Sequence, residues 1–589
     1  MSIINRSIIL DFLKGLAIVA VVLYHFGAWF PYGYLGVDVF FVISGYLLVK
    51  GLSKQFEAKT FNYWSFIFKK AVRLWPLILL VSAIAVAAGY FLMLPDDYEN
   101  LAESAVASTL FANNVLQAIT TKNYWDVVNL YKPLMHMWYV DVLMQAYVIL
   151  PPLYLLFVKL LKNTKKGLLL AGIAMSVISL VLFLLPLPTE WKFYYLPFRV
   201  FELSVGGLIA LTVKEIPRKK ALGIMTVSLV VILLMMCSRV AIISPAFMLL
   251  AVVAATSAVV FAGNNMQIQN RIFNAFANFF AALGKRSYSI YIWHQFVIAF
   301  LFYSVFPNQD AVNFSVFLVV TIILSEISYR FVESKLDKFA SPTRSKLYFA
   351  IFNLVFAALI CGVSFTIYMN SGVVRDVPEL NVSKDNVKRG MHKEYTDRIK
   401  RRKVGFEDTA KKHILVFGNS FGRDWTNILL EYDKEDSLEV TWLVNTEESA
   451  EKHASLIEKA DMVFYVEGTD YNRGVPEYML NAVPKEKLYV VGNKNFGESN
   501  GIIYAKRSTE GYFQQKVKMP EGLMKQNLKE SEKYGDHYIN LMSLVSDENG
   551  MVRVFTDDNK FISQDCRHLT RAGAQYFSRI LNIGAIVGE

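Results

Sequence analysis

Eleven stretches of about 20 mostly apolar residues, each long enough to cross a lipid hydrocarbon core, occupy most of the first 370 positions of this 589-residue chain. They lie near 8–30, 33–50, 73–95, 135–160, 167–187, 196–213, 221–237, 240–262, 283–305, 311–331 and 347–370. In lipid every backbone polar group must be paired within the segment, so stretches of this kind fold as helices. With 54% hydrophobic residues and a mean hydropathy of +0.34, the chain carries more apolar side chain than a soluble core hides. The expectation is a polytopic α-helical membrane domain over residues 1–370. Nothing resembling a small-residue cleavage site closes the first stretch, which therefore reads as a membrane helix and not as a removed signal peptide.

Lys and Arg accumulate in loops that stay in the cytoplasm. The loops after the even-numbered stretches carry Lys54, Lys59, Lys69 and Lys70; Lys162, Lys165 and Lys166; Arg218, Lys219 and Lys220; Lys285 and Arg286; and Lys335, Lys338, Arg344 and Lys346. The alternate loops are poor in them; the long one at 95–134 opens on Pro95-Asp96-Asp97 and holds only Lys122 and Lys132. An inside N-terminus and eleven crossings put the tail outside. The basic run Arg398 to Lys403 opposes this, but long translocated segments are largely exempt from the charge rule. Were 221–237 and 240–262 a single span, the tail would change sides.

The charge divides between the halves. Residues 1–370 hold 29 Lys and Arg against 16 Asp and Glu, while residues 371–589 hold 32 against 34. The basic excess belongs to the membrane half, where membrane lipids are the partner, and the tail has no nucleic-acid footprint. Cys237 and Cys361 lie in apolar runs and Cys566 stands alone, so neither a disulfide framework nor a zinc cluster is expected, and no metal.

Residues 371–412 read as a polar linker. From His413 short β-like runs (Ile414–Phe417, Val440–Val444, Met462–Val466, Leu488–Val491) alternate with helical stretches, an α/β pattern over 413–589. Gly418-Asn419-Ser420 ends the first run and precedes a helix, which leaves the serine exposed at a strand end beside backbone N–H groups. Gln564-Asp565-Cys-Arg-His568 lies near the C-terminus. A nucleophilic serine needs a base, and the base a carboxylate to orient it; His568 and Asp565 supply both if the fold brings them to Ser420. Taken alone, Gly-Asn-Ser is also a common turn.

Ionisable residues inside apolar spans are costly and mark functional cavities. Lys14 and His25, eleven residues apart on the first span, share a helix face about 16 Å apart along the axis. One reading is a cation near the cytoplasmic end and an imidazole further out lining a cavity. The other is a snorkelling lysine and a histidine bonded to a neighbouring helix. Arg73, His136, Asp141, Arg199, Glu202 and His294 are further such groups.

Over residues 7–336 the chain resembles the acyltransferase family 3 membrane proteins. The matching text is Leu13-Lys14-Gly15-Leu16 to Tyr24-His25-Phe26, then Gly36 to Tyr46, Arg73-Leu-Trp-Pro76, His136-Met-Trp138 to Tyr147, Arg199-Val-Phe-Glu202, Ser287 to His294 and Tyr329 to Glu333. The family signature is an Arg and a His with ten residues between them. Here Lys14 replaces that arginine, His25 fits as the catalytic or acyl-handling histidine, and Lys70 replaces the first arginine of a paired motif ending at Arg73. The acidic pair usual near Gln145 is absent. The resemblance implies acetyl-CoA as cytoplasmic acyl donor, with Lys14, Lys70, Arg73, Arg199 and Glu202 as its candidate binding residues.

The Ser420 turn and the Asp565-x-x-His568 motif at opposite ends of one α/β domain resemble the SGNH (GDSL-like) hydrolases and acyltransferases, which implies an α/β/α fold. That family's Gly-x-Asn oxyanion segment corresponds to Gly468-Thr-Asp470, where Asp470 cannot donate when ionised; Asn472 is one substitute. Together the two resemblances imply an O-acyltransferase relay that moves acetyl to a hydroxyl of an envelope polysaccharide or lipid-linked glycan such as O-antigen. Peptidoglycan is the alternative acceptor. A transporter with a glycan-binding tail and an esterase are the readings from other classes; the first makes Ser420 dispensable, the second His25.

Overall fold

The computed structural model describes residues 6–588 except 28, 121–126, 213–215, 239–243, 264–270, 305–309, 341–343, 371, 374, 382–392, 469–473, 498–499 and 508. The chain forms two compact units. One comprises Met1–Leu92 with Asn100–Thr366, the other Met93–Glu99 with Ile367–Glu589.

Among the described residues nine helices are long and apolar enough to cross a membrane: Ile8–His25, Gly33–Glu57, Tyr63–Leu92, Met137–Leu161, Thr164–Leu184, Arg218–Cys237, Pro245–Ala262, Ala311–Leu336 and Leu347–Met369. The stretches read as spans near 196–213 and 283–305 hold the shorter apolar helices Val200–Leu211 and Ser287–Phe302. At 1.5 Å per residue a twelve-residue helix is about 18 Å long, less than the roughly 30 Å hydrocarbon core. Glycines let these helices touch along their backbones. A Cβ on Gly45 would lie 1.8 Å from the Leu203 carbonyl oxygen, and one on Gly206 2.0 Å from that of Val42, so the Gly36–Glu57 and Val200–Leu211 helices meet at a distance only hydrogen permits. The helix Arg271–Lys285, absent from the sequence expectation, packs on Arg6–His25, with Phe12 against Phe276 and Phe280. The region read as a long outer loop contains the helices Pro95–Thr109 and Asn113–Thr120.

The second unit is built on strands β1 (Lys412–Phe417), β2 (Leu438–Leu443), β3 (Met462–Val466), β4 (Leu488–Val491), β5 (Lys516–Lys518), β6 (Tyr538–Ile539) and β7 (Met551–Arg553). Five of them form a parallel sheet in the order β2-β1-β3-β4-β6; β5 and β7 pair antiparallel apart from it. Alternate residues enter two cores, Ile414, Val416, Phe464 and Val466 one, Leu415, Phe417, Val463 and Tyr465 the other. Both faces are covered, which is why these strands read as unbroken apolar runs. The order reverses direction between β1 and β3, so the crevice outside their carboxyl ends is where an open α/β sheet receives a ligand.

Two parts of the stretch read as a linker, around 377–380 and 395–399, are packed. Val377 and Leu380 share a core with Leu94, Phe555 and Phe561, and the Glu379 carbonyl accepts the Phe561 N–H at 2.7 Å. Arg398, on the helix Lys393–Lys400, donates to Asn427 at 2.7 Å and to Glu431 at 3.0 Å. A polar composition conceals this because the anchors are a few apolar residues and one guanidinium.

Candidate active site

Ser420 opens the helix Ser420–Tyr432 directly after β1, and Asn419 caps it, its Oδ1 accepting the Phe421 N–H at 2.8 Å. Asp565 builds a tight turn: its Oδ1 accepts the N–H groups of Arg567 at 3.0 Å and His568 at 2.8 Å. Its Oδ2 lies 2.7 Å from His568 Nδ1. A carboxylate only accepts, so Nδ1 carries the hydrogen and Nε2 is the accepting nitrogen. Ser420 Oγ lies 2.7 Å from that Nε2 and donates to it. Desolvation by the surrounding chain would raise the Asp565 carboxyl, but the hydrogen bond and charge of His568, with the two backbone N–H groups, hold it below the usual carboxylate range. The arrangement can take a proton from Ser420 and stabilise the imidazolium that results.

Gly468 follows β3 beside the same crevice, and a Cβ there would lie 3.2 Å from Asn419 Nδ2. Its carbonyl accepts from Asn493. Asp470 and Asn472, the other oxyanion candidates, lie outside the described residues.

In the membrane unit Lys14, Lys70 and Arg73 line a cavity of about 540 Å³ together with Lys285, Tyr139, Tyr147, Tyr291 and Glu333. Lys14 pairs with Asp11 at 3.2 Å, and Lys70 lies 4.1 Å from the centroid of the Tyr147 ring. Arg199 and Glu202 do not line this cavity. Arg199 bonds Glu202 at 2.8 Å and Asp38, on the Gly36–Glu57 helix, at 2.9 Å, with all three side chains buried. His25 donates from Nδ1 to the Val21 carbonyl at 2.9 Å, which leaves Nε2 as its accepting nitrogen. Its ring centroid is 5.0 Å from that of His294, which is 5.2 Å from His136. Tyr291, on the cavity wall, donates to the His136 carbonyl oxygen at 2.6 Å, so the cavity abuts this histidine cluster. No group of three or more His, Cys, Asp or Glu among the described residues is arranged to hold a metal ion.

Sequence reasoning missed three groups. Asp38 lay inside the quoted Gly36 to Tyr46 text, and its carboxylate in an apolar span was the available signal. Lys494 and Asp424, a buried pair beside Ser420, had none, being 70 positions apart without a motif. Asp96, in the segment Met93–Glu99, lies close enough to Asp565 for their charges to interact; desolvation first and Asp565 second push its carboxyl up to about 7.

A family model described as an acyltransferase domain matches residues 8–330. The peptidoglycan O-acetyltransferase OatA of Listeria monocytogenes is 26% identical over 350 residues, covering 56% of this chain and 55% of that protein. The O-acetyltransferase OatA of Staphylococcus aureus is 25% identical over 381 residues, covering 60% and 61%. The chain thus spans little more than half the length of the curated relatives it matches. With the family match running through the lysine and histidine of the first span, the cationic cavity and the histidine cluster beside it, the chain belongs to the acyltransferase family 3 and is a multi-pass membrane protein.

Proposed function

We propose that the protein is an O-acetyltransferase that takes acetyl from cytoplasmic acetyl-CoA and delivers it, through an acetyl ester of Ser420, to a hydroxyl of a cell-envelope polysaccharide outside the membrane. The observation that carries this reading is the Ser420–His568–Asp565 chain of two 2.7 Å hydrogen bonds at the sheet's topological switch. The names of the Listeria and Staphylococcus relatives support acetyl as the group and oxygen as the acceptor. The crossover α/β topology and the serine at the end of β1 support an SGNH-type tail.

A cavity lined by Lys14, Lys70, Arg73 and Lys285 suits a donor that carries several phosphates. The positive-inside rule favours its opening to the cytoplasm, since Lys70 and Lys285 fall in the basic stretches between the apolar runs of the sequence. His25, which meets His294 beyond Tyr291, is then the candidate acyl-handling base. In the tail, Ser420 Oγ attacks the acetyl carbonyl and its proton moves to His568 Nε2; the bond from acetyl to its carrier breaks and the carrier leaves with that proton. The glycan hydroxyl then attacks the acetyl-serine, gives its proton to His568, and leaves as the sugar ester while Ser420 Oγ recovers the proton.

Peptidoglycan is favoured over O-antigen as acceptor by one observation, the substrate in the name of the Listeria relative. The experiment is acetate release by mild base from purified peptidoglycan and from other envelope glycans of cells with and without the protein. Acetate that depends on the protein supports transfer. A glycan acetate content unchanged by its removal contradicts it.

A further inference from the structure

Asp424 lies one turn after Ser420 on the same helix and so projects from the same side. It is 1% exposed. Its Oδ2 accepts the backbone N–H of Leu569, the residue after His568, at 3.1 Å, and lies 2.8 Å from Lys494 Nζ. Lys494 follows β4, is 3% exposed, and places its ammonium 3.6 Å from the centroid of the Phe421 ring. That ring meets His568 edge-on, with centroids 5.5 Å apart. Two residues beyond Lys494, the Phe496 N–H donates to the Cys566 carbonyl at 2.7 Å; Cys566 holds a left-handed backbone, φ +70°, between Asp565 and His568. The helix of Ser420, the loop after β4 and the turn of His568 therefore converge on one buried ion pair.

Stability does not account for the pair. A buried ion pair loses hydration that its own attraction seldom restores, and apolar residues of similar volume commonly replace it without loss of stability. Desolvation pulls the Lys494 ammonium below its ordinary pKa, countered by Asp424 and Asp565. What the pair does have is location, since its Asp424 also accepts the Leu569 N–H and so links the two segments whose separation sets the Ser420–His568 distance.

We propose that Asp424 and Lys494 are the positioning pair of the Ser420–His568 hydrogen bond. Asp424 ties the backbone beside His568 to the helix that carries Ser420. Lys494 keeps the carboxylate turned to the Leu569 N–H, and its charge on the face of Phe421 fixes the ring that borders His568. The inference rests on Ser420 being the nucleophile and names what holds its base in place.

The test uses the full chain purified in detergent micelles, with 4-nitrophenyl acetate hydrolysis and fluorophosphonate labelling of Ser420 as readouts. Lys494→Met with Asp424→Leu removes both charges and the acceptor for Leu569. Lys494→Met with Asp424→Asn removes both charges and keeps an amide oxygen for that N–H. The first should lose at least about tenfold in kcat and labelling rate, with KM within about twofold and a cooperative thermal transition, because displacing a catalytic base by about 1 Å costs up to a hundredfold. The second keeps that acceptor but loses the charge over Phe421, so its kcat should fall between that of the first and that of the unaltered protein. If the Leu-containing protein fails to fold, Lys494→Met alone serves, with a smaller loss of kcat expected. An unchanged kcat and pH profile in either the Leu-containing double variant or Lys494→Met, folded, overturns the pairing; so does an equal loss in both double variants. Ser420→Ala runs alongside. Hydrolysis that does not need Ser420 defeats the acetyl-serine reading itself and takes this inference with it.

Discussion

Ser420 and His568 stand 148 residues apart in the chain and 2.7 Å apart in space. The parallel sheet brings this about. Ser420 leaves the end of β1, and the turn holding His568 is joined to the Ser420 helix by the bond from Leu569 to Asp424 and lies beside it through Phe421.

Replacing Asp565 by Asn keeps the side chain's shape but presents an amide where His568 needs an acceptor and a charge. Glycan acetylation and 4-nitrophenyl acetate hydrolysis by the full chain should both fall by on the order of 10²-fold or more, with a residue of activity remaining. Steady-state rates of the purified variant check this; rates within a factor of two of the unaltered protein contradict it.

In the membrane unit His25→Ala should abolish glycan acetylation while leaving the amount of protein in the membrane unchanged, since the accepting nitrogen of the histidine cluster is lost. Lys14→Arg keeps the cation and should preserve acetylation. Reversing the charge with Arg73→Glu should raise KM for acetyl-CoA at least about tenfold, as expected for exchanging a charge-assisted phosphate contact for a repulsion. Donor titrations with membranes containing each variant measure it.

The pH dependence of stability should carry the mark of Asp96. Its folded carboxyl binds a proton up to about pH 7, whereas the unfolded chain releases it near the ordinary aspartate value of about 3.9. Between these values the folded state holds a proton that the unfolded state lacks, so this group's contribution falls as pH rises through the window and is flat above it, by on the order of a few kcal/mol. Asp96→Asn should narrow the difference in melting temperature between pH 5 and pH 8. A difference that stays the same contradicts the assignment.

The boundary of the second unit is also testable. A fragment of residues 413–589 lacks Val377 and Leu380, which share a core with Phe555 and Phe561, and Arg398, which bonds Asn427 and Glu431. Each buried aliphatic side chain is worth about 1.5–3 kcal/mol. The fragment 413–589 should therefore melt well below the fragment 367–589; equal melting temperatures would make the packed stretch a tether after all.

The runs Ile414–Phe417, Met462–Val466 and Leu488–Val491 were legible because parallel strands covered on both faces need no polar alternation, and the structure places strands there. β6 was not, since two residues carry no period. Helix Arg271–Lys285 escaped notice because Asn274, Asn278 and the flanking polar residues break its apolar run. Ser420, Asp565 and His568 stand out because each sits in a local turn with its own residue signature. Asp424, Lys494 and Asp96 do not, because charges buried by tertiary packing look on paper like surface charges. Arg199 and Glu202 drew attention as ionisable groups in an apolar span; Arg199 bonds Glu202 and Asp38, and neither residue lines the cationic cavity.

The central claim is that acetyl reaches the glycan through Ser420. The direct measurement is the base-labile acetate content of purified envelope glycans from cells that make the full chain, set against cells that make Ser420→Ala at the same membrane abundance. The account predicts that glycan acetate falls to the level of cells without the protein. Acetate at the unaltered level with Ser420→Ala would contradict it, and would move the chemistry to the membrane unit around His25 with the tail left to bind the acceptor.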